Sequence, residues 1–148
     1  MKVLLPKWIF ASLAKHFSTM GLPLHVEGQK RVTNSMQDWT EFIMDGPDFN
    51  EVSRKYYHLA LTVTVLINSL ENNNDGYRYI KNSGLVASFF NNSISIYKYG
   101  DTVLDDGSYY GCVKVGSPVI INHYGQATPN APVFKSSVTA NYYMETII

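Results

Sequence analysis

The side chains in this sequence best suited to acid–base, nucleophilic or metal chemistry are the adjacent carboxylates Asp105-Asp106, the single thiol Cys112, and the histidines His16, His25, His58 and His123. Their spacing builds none of the arrangements such chemistry needs. A nucleophile elbow requires Gly-x-Ser-x-Gly, which does not occur. Cys112 falls inside a β-type run, where a cysteine reads as a small buried hydrophobe rather than a reactive thiol. The histidines stand singly, with neither HxH nor HxxxH spacing, so they form no zinc set. Asp105-Asp106 lead into Gly107, and a turn accounts for both carboxylates better than a metal or acid–base pair does. The run Gly107-Ser108-Tyr109-Tyr110-Gly111 lacks the lysine and the following helix of a phosphate cradle. The expectation is a protein that is not an enzyme, with no catalytic residue, no metal ligand and no cofactor.

A chain of 148 residues with 45% hydrophobic residues is long enough for one self-supporting domain, expected over residues 1–148. Its 12 basic and 12 acidic side chains cancel, and no lysine or arginine cluster stands out. That balance argues against non-specific nucleic-acid binding and against an anionic membrane surface, and no sequence-specific nucleic-acid binding is expected. One cysteine forms no internal disulfide, which fits either a reducing compartment or a protein that never needed bridging. Lys7, Lys15 and His16 interrupt the apolar N-terminal stretch and Pro6 splits it, so a secretory leader is not expected. No run approaches the roughly 18 apolar residues of a membrane helix. The 11 tyrosines carry much of the polar work. Tyr97, Tyr99, Tyr109, Tyr110, Tyr124, Tyr142 and Tyr143 crowd the second half, either because strands favour tyrosine or because they form a subunit or ligand surface.

Periodicity supplies the elements that would position these groups. Ile9, Phe10, Leu13, Phe17 and Met20 recur at helical spacing from Lys7 to Met20, with Gly21 and Pro23 as the stop. A strand is expected near Leu24 to Glu27. Trp39 to Met44 reads as a short strand ended by the turn signal Asp45-Gly46-Pro47-Asp48, with a protruding loop through Lys55. Tyr57, Leu59, Leu61, Val63, Val65 and Ile67 alternate with polar or smaller residues, predicting a long strand that is central in a sheet or half of a long hairpin. The tract 72–76 would cap a second helix with Ile80, Gly84, Ala87 and Phe90 on its packed stripe. Further strands are expected at 94–99, 109–115 and 119–124, and a final one in which Phe134, Val138, Ala140, Tyr142, Met144 and Ile148 share one parity. About seven strands, mostly consecutive, with two packed helices predict an α+β fold around a mostly antiparallel sheet.

Four phrases carry a resemblance: Trp39 to Pro47; Ser53-Arg54-Lys55-Tyr56-Tyr57; Ile96-Tyr97-Lys98-Tyr99-Gly100-Asp101; and His123-Tyr124-Gly125-Gln126. In this order, over most of the chain, the sequence resembles the tail-terminator and neck (head-to-tail joining) proteins of tailed bacteriophages. The resemblance implies a virion structural protein made in a host bacterial cytoplasm. It would form a homo-oligomeric ring, with a hexamer as one candidate copy number, at the neck. Such a ring ends the tail tube, joins it to the head connector, and lets DNA through its lumen. Its partners would be itself and the neighbouring tail-tube and head-connector proteins. Another head-to-tail connector ring is an alternative, and a monomeric β-rich carbohydrate- or peptide-binding module using the tyrosines is a second. A ring subunit needs two complementary side surfaces. The segment from Asp45 to Lys55 is the candidate arm, with Asp45, Gly46, Pro47, Phe49, Val52 and Tyr56 as interface residues and Phe49 as the apolar anchor.

Overall fold

The computed structural model describes residues 3–26, 38–70, 77–100, 102–126 and 133–147. Helix α1 (Leu5–Phe17) carries Pro6, whose fixed φ suits a first turn, and runs into a single 3₁₀ turn over Ser18–Met20. Gly21 ends it at φ 86°, the left-handed conformation that glycine adopts without a Cβ clash. Seven strands follow: β1 (Leu24–Val26), β2 (Asp38–Ser53), β3 (Tyr56–Leu70), β4 (Ser93–Tyr97), β5 (Tyr109–Val115), β6 (Ile120–Gln126) and β7 (Val133–Ile147). Helix α2 (Arg78–Ala87) lies between β3 and β4. The fold is α+β, as the element order predicts, with the sheet curled into a half-barrel.

The strand order is β1-β2-β3-β7-β5-β4, and β6 pairs with β7 beside β5. All pairings are antiparallel except β1 on β2. β3 is both central and half of a long hairpin. It pairs with β2 on one side and, without a break from Tyr56↔Ile147 to Leu70↔Val133, with β7 on the other. Its odd-numbered residues Leu59, Leu61, Val63, Val65 and Ile67 all face the core, as the alternation predicts. Val138, Ala140, Tyr142 and Met144 of β7 meet them on the same face. Both helices pack there, bringing Leu5, Ile9, Leu13 and Phe17 from α1 and Val86 from α2 into one apolar cluster.

Two sequence expectations give way to the structure. The segment after Met44 is not a turn and a protruding loop; β2 continues through it to Ser53. Asp45-Gly46-Pro47-Asp48 is a β-bulge, where the register with β3 slips between Asp45 and Asp48. The extra residue moves the inward side chains from even positions, Phe42 and Met44, to odd ones, Phe49, which is why the alternation breaks in the sequence. Gly46 is required: at φ 100° a Cβ would lie 2.9 Å from the Ala60 carbonyl oxygen. The real turn is at Arg54-Lys55, with Lys55 at φ 68°.

In α2 the buried stripe is Tyr79, Asn82, Ser83 and Val86 rather than Ile80 and Gly84. Ile80 is 43% exposed, and a Cβ on Gly84 would meet open space. Two polar residues on the packed face hid the stripe from a hydrophobic count. The tract 72–76, expected to cap this helix, lies outside the described residues, and the cap position is Tyr77, without a side-chain cap bond.

Candidate interaction surfaces

Asp105 and Asp106 both accept hydrogen bonds from within the chain. Asp105 accepts hydrogen bonds from Lys7 Nζ and Trp8 Nε1 at the start of α1, and from the Thr102 amide and hydroxyl. Its carboxylate has no exposed surface, and these donors, Lys7 first and Trp8 next, hold its pKa well below the usual carboxylate range. Asp106 accepts from the Ser108 hydroxyl and amide, an Asx turn that likewise lowers its pKa. The turn reading therefore holds for Asp106, while Asp105 also ties the turn to α1.

Cys112 is half-buried in β5 rather than fully inside. His16 Nε2 lies 2.7 Å from the Phe89 carbonyl oxygen, His58 stacks on Tyr143, and His123 meets the edge of Tyr79. Among the described residues no three histidine, cysteine, aspartate or glutamate side chains gather to hold a metal. No described helix is long and apolar enough to cross a membrane.

The six candidate interface residues divide by position. Asp45 and Gly46 are exposed at the bulge, and Pro47 is half-buried there. Phe49 does not project. It lies opposite Leu59 on the inward face, edge-on to Tyr57 with ring centroids 6.3 Å apart, and packs against the core. Val52 and Tyr56 flank the hairpin turn with 72% and 53% of their surface exposed. Ile147, paired with Tyr56, adds a third open apolar side chain that the sequence reading did not single out. Val52, Ser53, Tyr56, Tyr57 and Glu145 line a shallow hollow of about 200 Å³ there.

The tyrosines serve several ends. Tyr142 is buried, its hydroxyl donates to the Asn91 carbonyl oxygen at 2.8 Å, and burial pushes its pKa up to about 12. Tyr97, Tyr99 and Tyr109 form a ring cluster with centroids 5.5 and 5.8 Å apart. β5 and β7 pair only at Lys114↔Tyr143 and Val115↔Tyr142, then splay apart. The gap is a cleft of about 410 Å³ lined by Tyr109, Tyr110, Cys112, Tyr143 and Glu145, with Tyr110 and Thr146 hydroxyls bonded across it at 2.6 Å. Tyr124 of β6 remains 61% exposed beside the open Ile120 and Ile121.

No protein-family model matches the chain, and no curated protein matches it by sequence. A solved structure that bears no functional name superposes with a TM-score of 0.51 at 13% identity, over 97% of this chain and 94% of its own. The likeness is one of fold.

Proposed function

We propose that this protein is a virion structural subunit of the tail-terminator or neck type, forming a homo-oligomeric ring that ends a tail tube and joins it to the head. The observation that carries the reading is the hairpin end of the sheet. Val52, Tyr56 and Ile147 expose apolar surface together, rimmed by Glu51, Arg54, Lys55 and Glu145, which is the composition of a contact surface and not of a solvated loop. The four sequence phrases that resemble this family lie on β2, on the hairpin turn, on β4 with the segment after it, and on β6. The chemistry of such a ring is mechanical and calls for no cofactor.

The test is light scattering and negative-stain imaging of the purified protein, with labelled virions to place it. Rings in solution or at the neck are the expected result. A protein that stays monomeric at every concentration and is absent from particles would overturn the reading. A second reading, a monomeric carbohydrate- or peptide-binding module, draws on the tyrosine-lined β5–β7 cleft. Glycan-array binding abolished by Tyr109→Ala and Tyr143→Ala would favour it.

A further inference from the structure

Among the described residues the sheet leaves two edges unpaired, of opposite character. On β2, β1 covers only Thr40 to Phe42, and among the described residues nothing pairs with the outer edge from Ile43 to Ser53. That stretch exposes Asp45, Asp48 and Glu51, and no described residue forms an ion pair with them. The carboxylates keep two such edges from pairing with each other.

The opposite edge, β4, reads Ser-Ile-Ser-Ile-Tyr and carries no charge. It is fastened to α1 at one point: the Tyr97 amide donates to Ser12 Oγ at 2.8 Å, and the Ser12 hydroxyl donates back to the Tyr97 carbonyl oxygen at 3.2 Å. The Lys98 amide donates to Ser108, and the Asn92 carbonyl accepts from Val115, so even-numbered residues here turn their backbone toward β5. By strand alternation the odd-numbered Ser93 and Ser95 direct theirs outward, as Tyr97 does. They face a groove of about 350 Å³ between β4 and α1. Lys15, His16 and Thr19 of α1 line its other wall, with no carboxylate among the lining residues. Lys15 is exposed, its ammonium 4.4 Å from the Tyr99 ring centre.

We propose that the acidic edge of β2, over residues 45–52, seats in the α1–β4 groove of a second copy, adding a strand to its sheet and bringing its carboxylates to Lys15. The inference rests on the ring reading, since joining one edge of each copy to the other edge of the next is the heterologous contact that closes a ring. Charge selects the pairing: acidic edge against acidic edge repels, and acidic edge against the lysine-bearing groove attracts.

Two measurements on the full-length protein test it. In the first, a synthetic peptide of residues 43–53 is titrated by NMR into the full-length Asp48→Lys, Glu51→Lys variant, whose own edge no longer fills a neighbour's groove. The amides of Ser93, Ser95 and Lys15 shift, and Lys15→Glu weakens binding about tenfold, as expected for losing one charged contact. A peptide that leaves those amides unmoved overturns the proposal whatever the oligomeric state.

The second is sedimentation of Lys15→Glu and of Asp48→Lys with Glu51→Lys, each checked for an unchanged circular-dichroism spectrum. Each alone loses assembly, and a mixture of the two regains it through the swapped charges. Assembly that survives both variants leaves the ring and overturns this contact. A wild-type protein that binds the peptide at the groove but never assembles overturns the ring and leaves the groove.

Discussion

Asp105 and Lys7 lie 98 residues apart in the chain and 2.5 Å apart in space, Lys7 Nζ against Asp105 Oδ2. The pair, with the Trp8 indole on the other carboxylate oxygen, pins the turn after β4 to the first turn of α1. Because the folded carboxyl holds its proton less tightly than the unfolded one, the contribution is complete above the ordinary carboxylate pKa of about 3.9 and fades as pH falls toward the lower folded value. Asp105→Asn should lower the melting temperature at pH 7, and the gap to wild type should stay constant down to about pH 4–5 and narrow below that. A gap that is the same at pH 2.5 and pH 7 would mean that the charge contributes nothing.

The interior of β3 tolerates no charge. Val63 is fully buried, so Val63→Asp strands a carboxylate in the apolar cluster and should cost roughly 4 kcal/mol or more. On the other face, the Thr62 hydroxyl donates to Asn141 Oδ1 at 2.8 Å in an exposed setting. Thr62→Ala should cost no more than about 1 kcal/mol by urea melt.

Two glycines should respond in opposite directions to the same change. Gly84 sits in α2 with open space where a Cβ would go, so Gly84→Ala should stabilise by roughly 0.5–1 kcal/mol. Gly46→Ala drives a Cβ into the Ala60 carbonyl at a positive φ and should destabilise by more than that gain. Thermal melts of the two variants decide both.

At the hairpin end, stability and assembly should separate residue by residue. Phe49→Ser removes a ring packed on Tyr57 and should cost about 1–3 kcal/mol. Val52→Ser with Tyr56→Ser should leave the melting temperature within about 2 °C, since surface changes of this kind stay near ±0.5 kcal/mol. That double variant should nonetheless reduce ring formation in light scattering.

Ser12 offers a local test of how β4 is held. Its single hydroxyl oxygen serves both backbone groups of Tyr97, so Ser12→Ala should cost about 1–3 kcal/mol and speed amide exchange at Tyr97.

What was legible in the sequence follows the strength of the repeating pattern. β3 and β7 alternate over many residues, and α1 has a proline start and a glycine stop, so their type and inward faces could be read directly. β2 could not be read whole, because its bulge carries turn-forming residues in the middle of a strand and reverses the alternation at Phe49. The α2 face was misread since Asn82 and Ser83 are buried polar residues. Of the candidate surface, Val52 and Tyr56 were named as part of an expected loop, and their place beside the Arg54-Lys55 turn comes only from the structure, whereas the α1–β4 groove joins residues more than 70 positions apart, which no local pattern connects.

The unbroken ladder between β3 and β7 also governs how fast the chain reaches this state. β3 must be covered by a strand far along the chain before its inward row, Leu59 to Ile67, leaves water on both flanks. Closing so large a loop costs entropy before any pairing repays it, which places folding in the roughly millisecond-to-second range of sheet proteins rather than the microseconds of helical ones. Until then the β2–β3 hairpin presents a bare apolar strand edge, the form in which such chains meet one another out of register. Slow arrival of β7 is thus a step at which high expression would divert chains into aggregates.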